Sequence, residues 1–317
     1  MFRIGFLGPG NIAHVVVNSL KDDPNLTLYA VASRDIEKAK EFCENYGFQV
    51  AYGSYEELYS DPLVDLIYIA TPHSFHYEQM MAAIAHHKNV LCEKAFCLNH
   101  REATQVFAAA EQAGVFVAEA MVPAYQSSRT IIDDLLKEEP IGDLISYHGV
   151  FGASIWHVPR VHEKALGGGA LLDIGLYPLY FALSHFGDDP RIEQVYLQEV
   201  NNVDQSETII LRYPNRLKAT ITASTVENLG MYGEIFGNNG SIYIENIARP
   251  EWIEIRNNKH EVEKRIANLR VGSGYLEEFM AAKEDILAGR KTSSRMKKED
   301  TLTLLDYLDR IRWFQSS

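Results

Sequence analysis

Phe2-Arg3-Ile4-Gly5-Phe6-Leu7-Gly8-Pro9-Gly10-Asn11-Ile12-Ala13 opens the chain and decides how its first half folds. The apolar run Phe2–Leu7 reads as a strand, and a helical pattern over 11–21 follows it directly. Between the two lies a G-x-G-x-x-A turn. In a strand–turn–helix context its first glycine permits the tight bend, and its second lets backbone approach a pyrophosphate. Small Ala13 lets the helix pack close against the strand, while the helix N-terminus offers N–H groups to an anion. Gly8, Gly10, Asn11 and Ile12 are therefore the first candidate contacts of a dinucleotide.

The pattern continues outward from this turn. Strands are expected over Leu26–Ala32, 50–51, 66–70, Val90–Glu93 and 115–118, with helices over Ile36–Tyr46, Tyr55–Ser60, 74–87 and 101–113. Strands alternating with helices at this spacing predict an α/β Rossmann domain with a parallel sheet, residues 1–121. After Met121 the runs 144–151, 192–199, 208–213, 218–225, 233–236, Ser241–Glu245 and Trp252–Arg256 are strand-like. One helix, near 175–186, interrupts them, and two more, over 274–288 and 298–314, close the chain. Residues 122–317 are thus expected to form an α+β domain with a large, mostly antiparallel open sheet, for substrate binding and dimerisation. One face of that sheet must be covered, which predicts a homodimer or a higher homo-oligomer.

Composition narrows the partners. The net charge of −13 disfavours nucleic acid and anionic membrane, because phosphate binding needs a basic surface. The three cysteines, Cys43, Cys92 and Cys97, show no zinc-type pairing and read as reduced thiols of a cytoplasmic protein. No targeting segment is visible, and no stretch reaches about 18 uninterrupted apolar residues.

The ribose contact of a dinucleotide belongs at the end of the second strand, about 20 residues past the glycines. An acidic residue there favours NAD. Here the strand ends in Ser33-Arg34, with Lys38 one helical turn further on. Ser33 can hydrogen-bond a phosphate and Arg34 can pair with it, which points to NADP, with NAD as the alternative. Asp35 reads as a stabiliser of the following helix N-terminus. Thr71 and Pro72 stand at a strand's carboxyl end as cofactor contacts, and His76 supports the helix behind them, close to the dinucleotide. His73 fits either a contact or a surface position.

Lys94 follows the apolar run Val90-Leu91-Cys92 and so emerges where ligands bind in parallel sheets. It can take part in proton transfer if burial weakens its hold on its proton, or stay charged and polarise a substrate oxygen. Position alone favours a solvated loop charge. Asp173 and Tyr177, four apart on an expected helix, share one face, just after Gly167-Gly168-Gly169, which permits close approach of another element. Spacing alone leaves a helix-start Asp and a core Tyr as the plainer reading.

A resemblance decides these cases. Gly8–Ala13, Ala70-Thr71-Pro72-His73-Ser74-Phe75-His76, Cys92-Glu93-Lys94-Ala95, Glu119-Ala120-Met121 and Gly167-Gly168-Gly169-Ala170-Leu171-Leu172-Asp173-Ile174-Gly175-Leu176-Tyr177 occur in that order. Together they resemble the Gfo/Idh/MocA oxidoreductases, nearest the branch containing dimeric dihydrodiol dehydrogenase and NADP-dependent D-xylose dehydrogenases. The resemblance spans most of the chain and weakens after Tyr213. It implies that Tyr177 transfers a proton, assisted by Lys94, with Asp173 nearby and Glu93 holding the lysine or the nicotinamide ribose. A tyrosine ordinarily ionises near pH about 10, so a cation such as Lys94 is needed to help it. Two departures stand out. Ala95 replaces the proline that usually follows the family's lysine, and Val122-Pro123-Ala124-Tyr125 lies where the branch carries a tryptophan and an arginine.

Trp156, His157 and Arg160 offer stacking surface and hydrogen-bond donors suited to a sugar or diol substrate. No carboxylate constellation joins His157 and His162, so no metal is expected. The sequence therefore predicts an NADP-dependent oxidoreductase that moves hydride between nicotinamide and a secondary alcohol of a sugar, polyol or cyclic dihydrodiol. The rival readings are a non-catalytic dinucleotide sensor and an NAD-dependent inositol-type dehydrogenase.

Overall fold

The computed structural model describes residues 2–268 and 274–314. The chain forms two compact units: Met1–Tyr125 with Val271–Leu302, and Gln126–Arg270 with Thr303–Ser317.

The first unit contains β1 (Phe2–Leu7), α1 (Asn11–Leu20), β2 (Leu26–Ala32), α2 (Ile36–Tyr46), β3 (Val50–Tyr52), α3 (Tyr55–Ser60), β4 (Leu66–Ile69), α4 (His76–Ala85), β5 (Val90–Glu93), α5 (His100–Ala113), β6 (Val117–Ala120) and α6 (Val122–Tyr125). Its six strands run parallel in the order β3-β2-β1-β4-β5-β6. The order reverses between β1 and β4, and in doubly wound sheets the ligand crevice opens at the carboxyl ends beside such a switch. Apolar runs make these strands because both faces are covered: every residue of β4, β5 and β6 is buried. Helix α1 buries Ala13, Val16, Val17 and Leu20, a stripe at helical spacing. Phe6 centres this core, 5.0 Å from the ring of Tyr68 and 5.3 Å from that of Phe48. Phe279, 6.3 Å from Phe6, anchors a C-terminal helix in the same core.

The second unit contains α7 (Ser127–Glu138), β7 (Leu144–Gly152), α8 (Pro159–His162), a π turn (Leu171–Gly175), α9 (Leu176–Phe186), β8 (Arg191–Val200), β9 (Val203–Arg212), β10 (Lys218–Ser224), β11 (Gly230–Gly237), β12 (Ser241–Glu245), β13 (Trp252–Arg256) and β14 (Val262–Ala267). Two helices close the chain: α10 (Leu276–Leu287), in the first unit, and α11 (Lys298–Arg312), which crosses the division at Leu302.

The eight strands lie in the order β14-β13-β12-β11-β7-β10-β9-β8. All pairs are antiparallel except β7 with β10. Asn201 and Asn202, at φ 55° and 60°, form the two-residue turn of the β8–β9 hairpin. One face of the sheet packs under α9, where Tyr147 stacks on Phe181 at 4.9 Å. Gly149 is required there, since a Cβ at that position would lie 2.7 Å from Pro178. By length and composition Lys164–Phe186 could cross a membrane, with a mean hydropathy of 1.4, but 83% of its apolar window is buried inside the protein.

Three features depart from the expected elements. Helix α7 stands ahead of the first expected strand, in a stretch for which no element was foreseen. Strand β14 was not foreseen, because Val-Glu-Lys-Arg-Ile-Ala is largely polar and is recruited by pairing with β13 at the sheet edge. Residues 171–175 form a π turn, so Asp173 and Tyr177 do not share one continuous α-helix. Single π turns inside helices are frequent at functional sites.

Candidate active site

In the first unit, Gly8 has φ 96°, a left-handed conformation, and a Cβ there would stand 3.0 Å from Thr71 Cγ2. Gly10 heads α1 in an extended conformation, and a Cβ there would stand 3.3 Å from the Ala70 carbonyl. No side chain caps the start of α1, which leaves the N–H groups around Asn11 and Ile12 to an incoming ligand. Ala13 is fully buried against the sheet. This cradle, lined by backbone where side chains would not fit, suits a pyrophosphate.

At the end of β2, Ser33 is buried and its hydroxyl accepts the Asp35 N–H at 3.1 Å. Asp35 turns away as the N-cap of α2, accepting the Glu37 N–H at 3.1 Å. Arg34 and Lys38 are exposed. The Arg34 guanidinium lies 5.6 Å over the Phe75 ring, with the Tyr55 hydroxyl within reach of its charge. Burial raises the Tyr55 hydroxyl above its usual range, and the Arg34 charge pulls it partly back.

At the end of β4, the Thr71 hydroxyl donates to Gln79 at 2.6 Å, and Pro72 starts the short turn His73–Phe75. His76 is fully buried, with its two ring nitrogens each 2.8 Å from a carbonyl oxygen, those of Thr71 and Ala95. Burial holds its proton affinity below the usual histidine value, against the raising effect of those carbonyls. His76 thereby ties the end of β4 to the segment after β5. That segment carries Lys94, half-buried, followed by a cis Lys94–Ala95 peptide bond at the position where the family's usual proline is missing. Glu93 is buried and accepts the Tyr68 hydroxyl, whose own ionisation is pushed well up, first by burial and then by Glu93.

Glu119, on β6, was quoted in the sequence motif but given no role. It is 1% exposed and accepts the Phe96 N–H at 3.2 Å and the Thr301 hydroxyl at 2.9 Å. Burial raises its carboxyl to about 7. Thr301 and the Phe96 N–H oppose the rise, Glu93 adds to it, and Lys94 lowers it. The available signal was an acid inside the apolar strand Val117–Ala120.

In the second unit, Asp173 is 3% exposed and accepts a 2.7 Å hydrogen bond from Arg160 Nη1. Tyr177 is half-buried, its ring 5.8 Å from Phe151. The glycines before them do admit another element closely: a Cβ on Gly168 would stand 2.5 Å from the Val161 carbonyl, and one on Gly169 would stand 2.2 Å from Asp204 Oδ1. Trp156 is half-buried, 5.9 Å from the His162 ring, while His157 is exposed. Arg160 and Asp173 are thus brought together. Asp204 and Glu207, beneath the π turn, were missed by the sequence reading.

The fold and the cradle define a dinucleotide-binding oxidoreductase. Residues 2–121 match the model of the oxidoreductase family with an NAD-binding Rossmann fold, and residues 131–243 match the GFO/IDH/MocA C-terminal domain. The chain belongs to the Gfo/Idh/MocA family. It is 32% identical to a trans-1,2-dihydrobenzene-1,2-diol dehydrogenase of Xenopus tropicalis over 96% of this chain and 95% of the relative. The Homo sapiens protein of the same name is 31% identical over 89% and 87%. Among solved structures, a 3-ketoreductase from Actinomadura kijaniata in complex with NADP and TDP-benzene superposes with a TM-score of 0.90 at 24% identity, covering 98% of this chain and 97% of that one. An aldose–aldose oxidoreductase from Caulobacter crescentus gives 0.87 at 21%, covering 98% and 96%.

Proposed function

We propose that this chain is an NADP-dependent oxidoreductase that moves hydride between nicotinamide and a secondary alcohol of a sugar, polyol or cyclic dihydrodiol. The observation that carries the cofactor choice is Arg34, set beside Phe75 and Tyr55 while Asp35 is committed to capping α2. A guanidinium so placed suits a 2′-phosphate, while the Asp35 carboxylate is turned to the Glu37 N–H. The names of the dihydrodiol dehydrogenase relatives, and the NADP bound in the 3-ketoreductase, support the same reading.

When bound, the nicotinamide supplies the acceptor for hydride. The chain's residues do the rest. The Gly8–Gly10 turn and the first N–H groups of α1 hold the pyrophosphate. As hydride leaves the carbinol carbon, Tyr177, entering the step as the phenolate, takes the hydroxyl proton and becomes the phenol, so the alcohol becomes a carbonyl. Lys94 polarises that oxygen. Arg160 fixes Asp173, and Trp156 and His157 orient the substrate. The free thiols Cys43, Cys92 and Cys97 suit a cytoplasmic setting, and the outer face of the eight-stranded sheet suits pairing with a second copy.

Titration calorimetry with NADPH and NADH, followed by a panel of diols, aldoses and polyols with both cofactors, tests the reading. Arg34→Ala is expected to lose about 1.5–3 kcal/mol of NADPH affinity while NADH binding stays level. Lys94→Met and Tyr177→Phe are expected to bind NADPH but lose turnover. Normal turnover in either variant rejects its role, and equal affinity for the two cofactors rejects the NADP choice.

A further inference from the structure

Strand β9 points Glu207, Ile209 and Leu211 into the second unit's core, an acid where the row is otherwise apolar. Glu207 is 3% exposed, and neither of its carboxyl oxygens has a hydrogen-bond partner among the described residues. Its end lies directly under the π turn: a Cβ added to Gly175 would stand 2.2 Å from Oε1 and 3.3 Å from Ala223, the residue paired with Glu207 across β10. One turn earlier, Asp204 accepts the Leu171 N–H at 2.6 Å. The π turn therefore rests on two carboxyl groups of one strand, and a glycine and an alanine have made room for the second.

We propose that Glu207 is a positioning residue: its side chain seats the π turn at Gly175 and so sets where Asp173 and Tyr177 present their polar atoms. The inference rests on reading Asp173 and Tyr177 as the reacting groups. An unpaired charge in that position is too costly to keep, so Glu207 is carried as the neutral acid. Burial, then Asp204, pushes its ionisation well up. The other charges around it are accounted for. Asp173 on the π turn is engaged by Arg160, and Asp204 faces Arg312 of α11 and Glu199 of β8. The residues paired with Glu207 on β10 and β8, Ala223 and Leu197, are apolar.

A carboxyl that stays neutral when folded but ionises when unfolded makes the fold less stable as pH rises above the ordinary glutamate range. Glu207→Gln keeps shape and neutrality, so its folded-to-unfolded equilibrium constant should gain on that of the native chain by up to about tenfold per pH unit from pH 5 to 7. Glu207→Ala should lower kcat on the order of ten- to a hundredfold with NADPH affinity unchanged, and Glu207→Gln should recover it. Gly175→Ala should be damaging alone and tolerated in the Glu207→Ala background, read by denaturant unfolding as a non-additive cycle. An additive cycle, or a Gln variant whose advantage does not grow with pH, overturns the proposal. If the native chain turns over no alcohol in the panel, the functional reading falls, while the unfolding cycle still decides this one.

Discussion

At the residue scale, a few backbone atoms set the terms. Gly8 holds a left-handed φ of 96° against Thr71, so Gly8→Ala is strained by about 1–3 kcal/mol and pushes a methyl into the end of β4. Calorimetry is expected to show dinucleotide affinity falling at least tenfold, and an unchanged affinity would mean that the turn does not carry the pyrophosphate. Glu119 gives a pH signature. Its folded carboxyl is raised from 4.5 to about 7, so the folded state keeps a proton that the unfolded chain releases. The stability that Glu119 itself contributes is therefore greatest below pH about 4.5, declines by roughly 3 kcal/mol at most as pH climbs to 7, and is then spent. Glu119→Gln should flatten that slope in urea titrations from pH 5 to 8. The glycine was legible, because G-x-G-x-x-A between strand and helix has few other uses. Glu119 and Glu207 were not, since an acid in an apolar strand looks the same whether it ends a strand, faces solvent or is buried unpaired.

At the scale of elements, the parallel sheet was readable because burial on both faces leaves uninterrupted apolar runs such as Leu66–Ile69. Helix α7 escaped because its buried stripe is thin, Ser128, Ile132 and Leu135, among exposed charges. Strand β9 begins at Val203, ahead of the expected 208, because Asp204 to Glu207 read as polar although the hairpin with β8 holds them in register. The return of α10 to the first core rests on Phe279, a long-range contact that no local pattern encodes. Asp35 links element and cofactor. As N-cap of α2 it contributes about 1 kcal/mol, so Asp35→Ala should lower the urea midpoint while Asp35→Asn holds it. Neither variant should weaken NADPH binding. A large loss of cofactor affinity in Asp35→Asn would show that this acid contacts the ribose after all, and would move the assignment towards NAD.

At the scale of the whole molecule, the eight-stranded sheet has a second face. The pleat sends Tyr147, Ile209 and Ile221 under α9, so their strand neighbours His148, Ile210 and Thr220 point the other way. Register carries that outer row on through Glu234, Tyr243 and Glu254 to Arg265. It is not an ordinary solvated surface. Arg256 lies 3.8 Å over the Tyr243 ring, Arg265 lies 4.9 Å over Trp252, and Glu254 binds both arginines. Tyr196, paired with Thr208 on the same face, is 61% exposed. Aromatic rings and arginines are the side chains enriched where proteins meet, and a sheet face with self-complementary charge is the kind of surface a two-fold axis can pair with itself. Light scattering after gel filtration should therefore return about twice the 35.8 kDa chain mass. Phe236→Glu, which sets a charge beside His148 in that face, should shift the particle to the single-chain mass with its circular dichroism intact. A native protein that elutes as a single chain at micromolar concentration would reject the pairing of this face with a second copy.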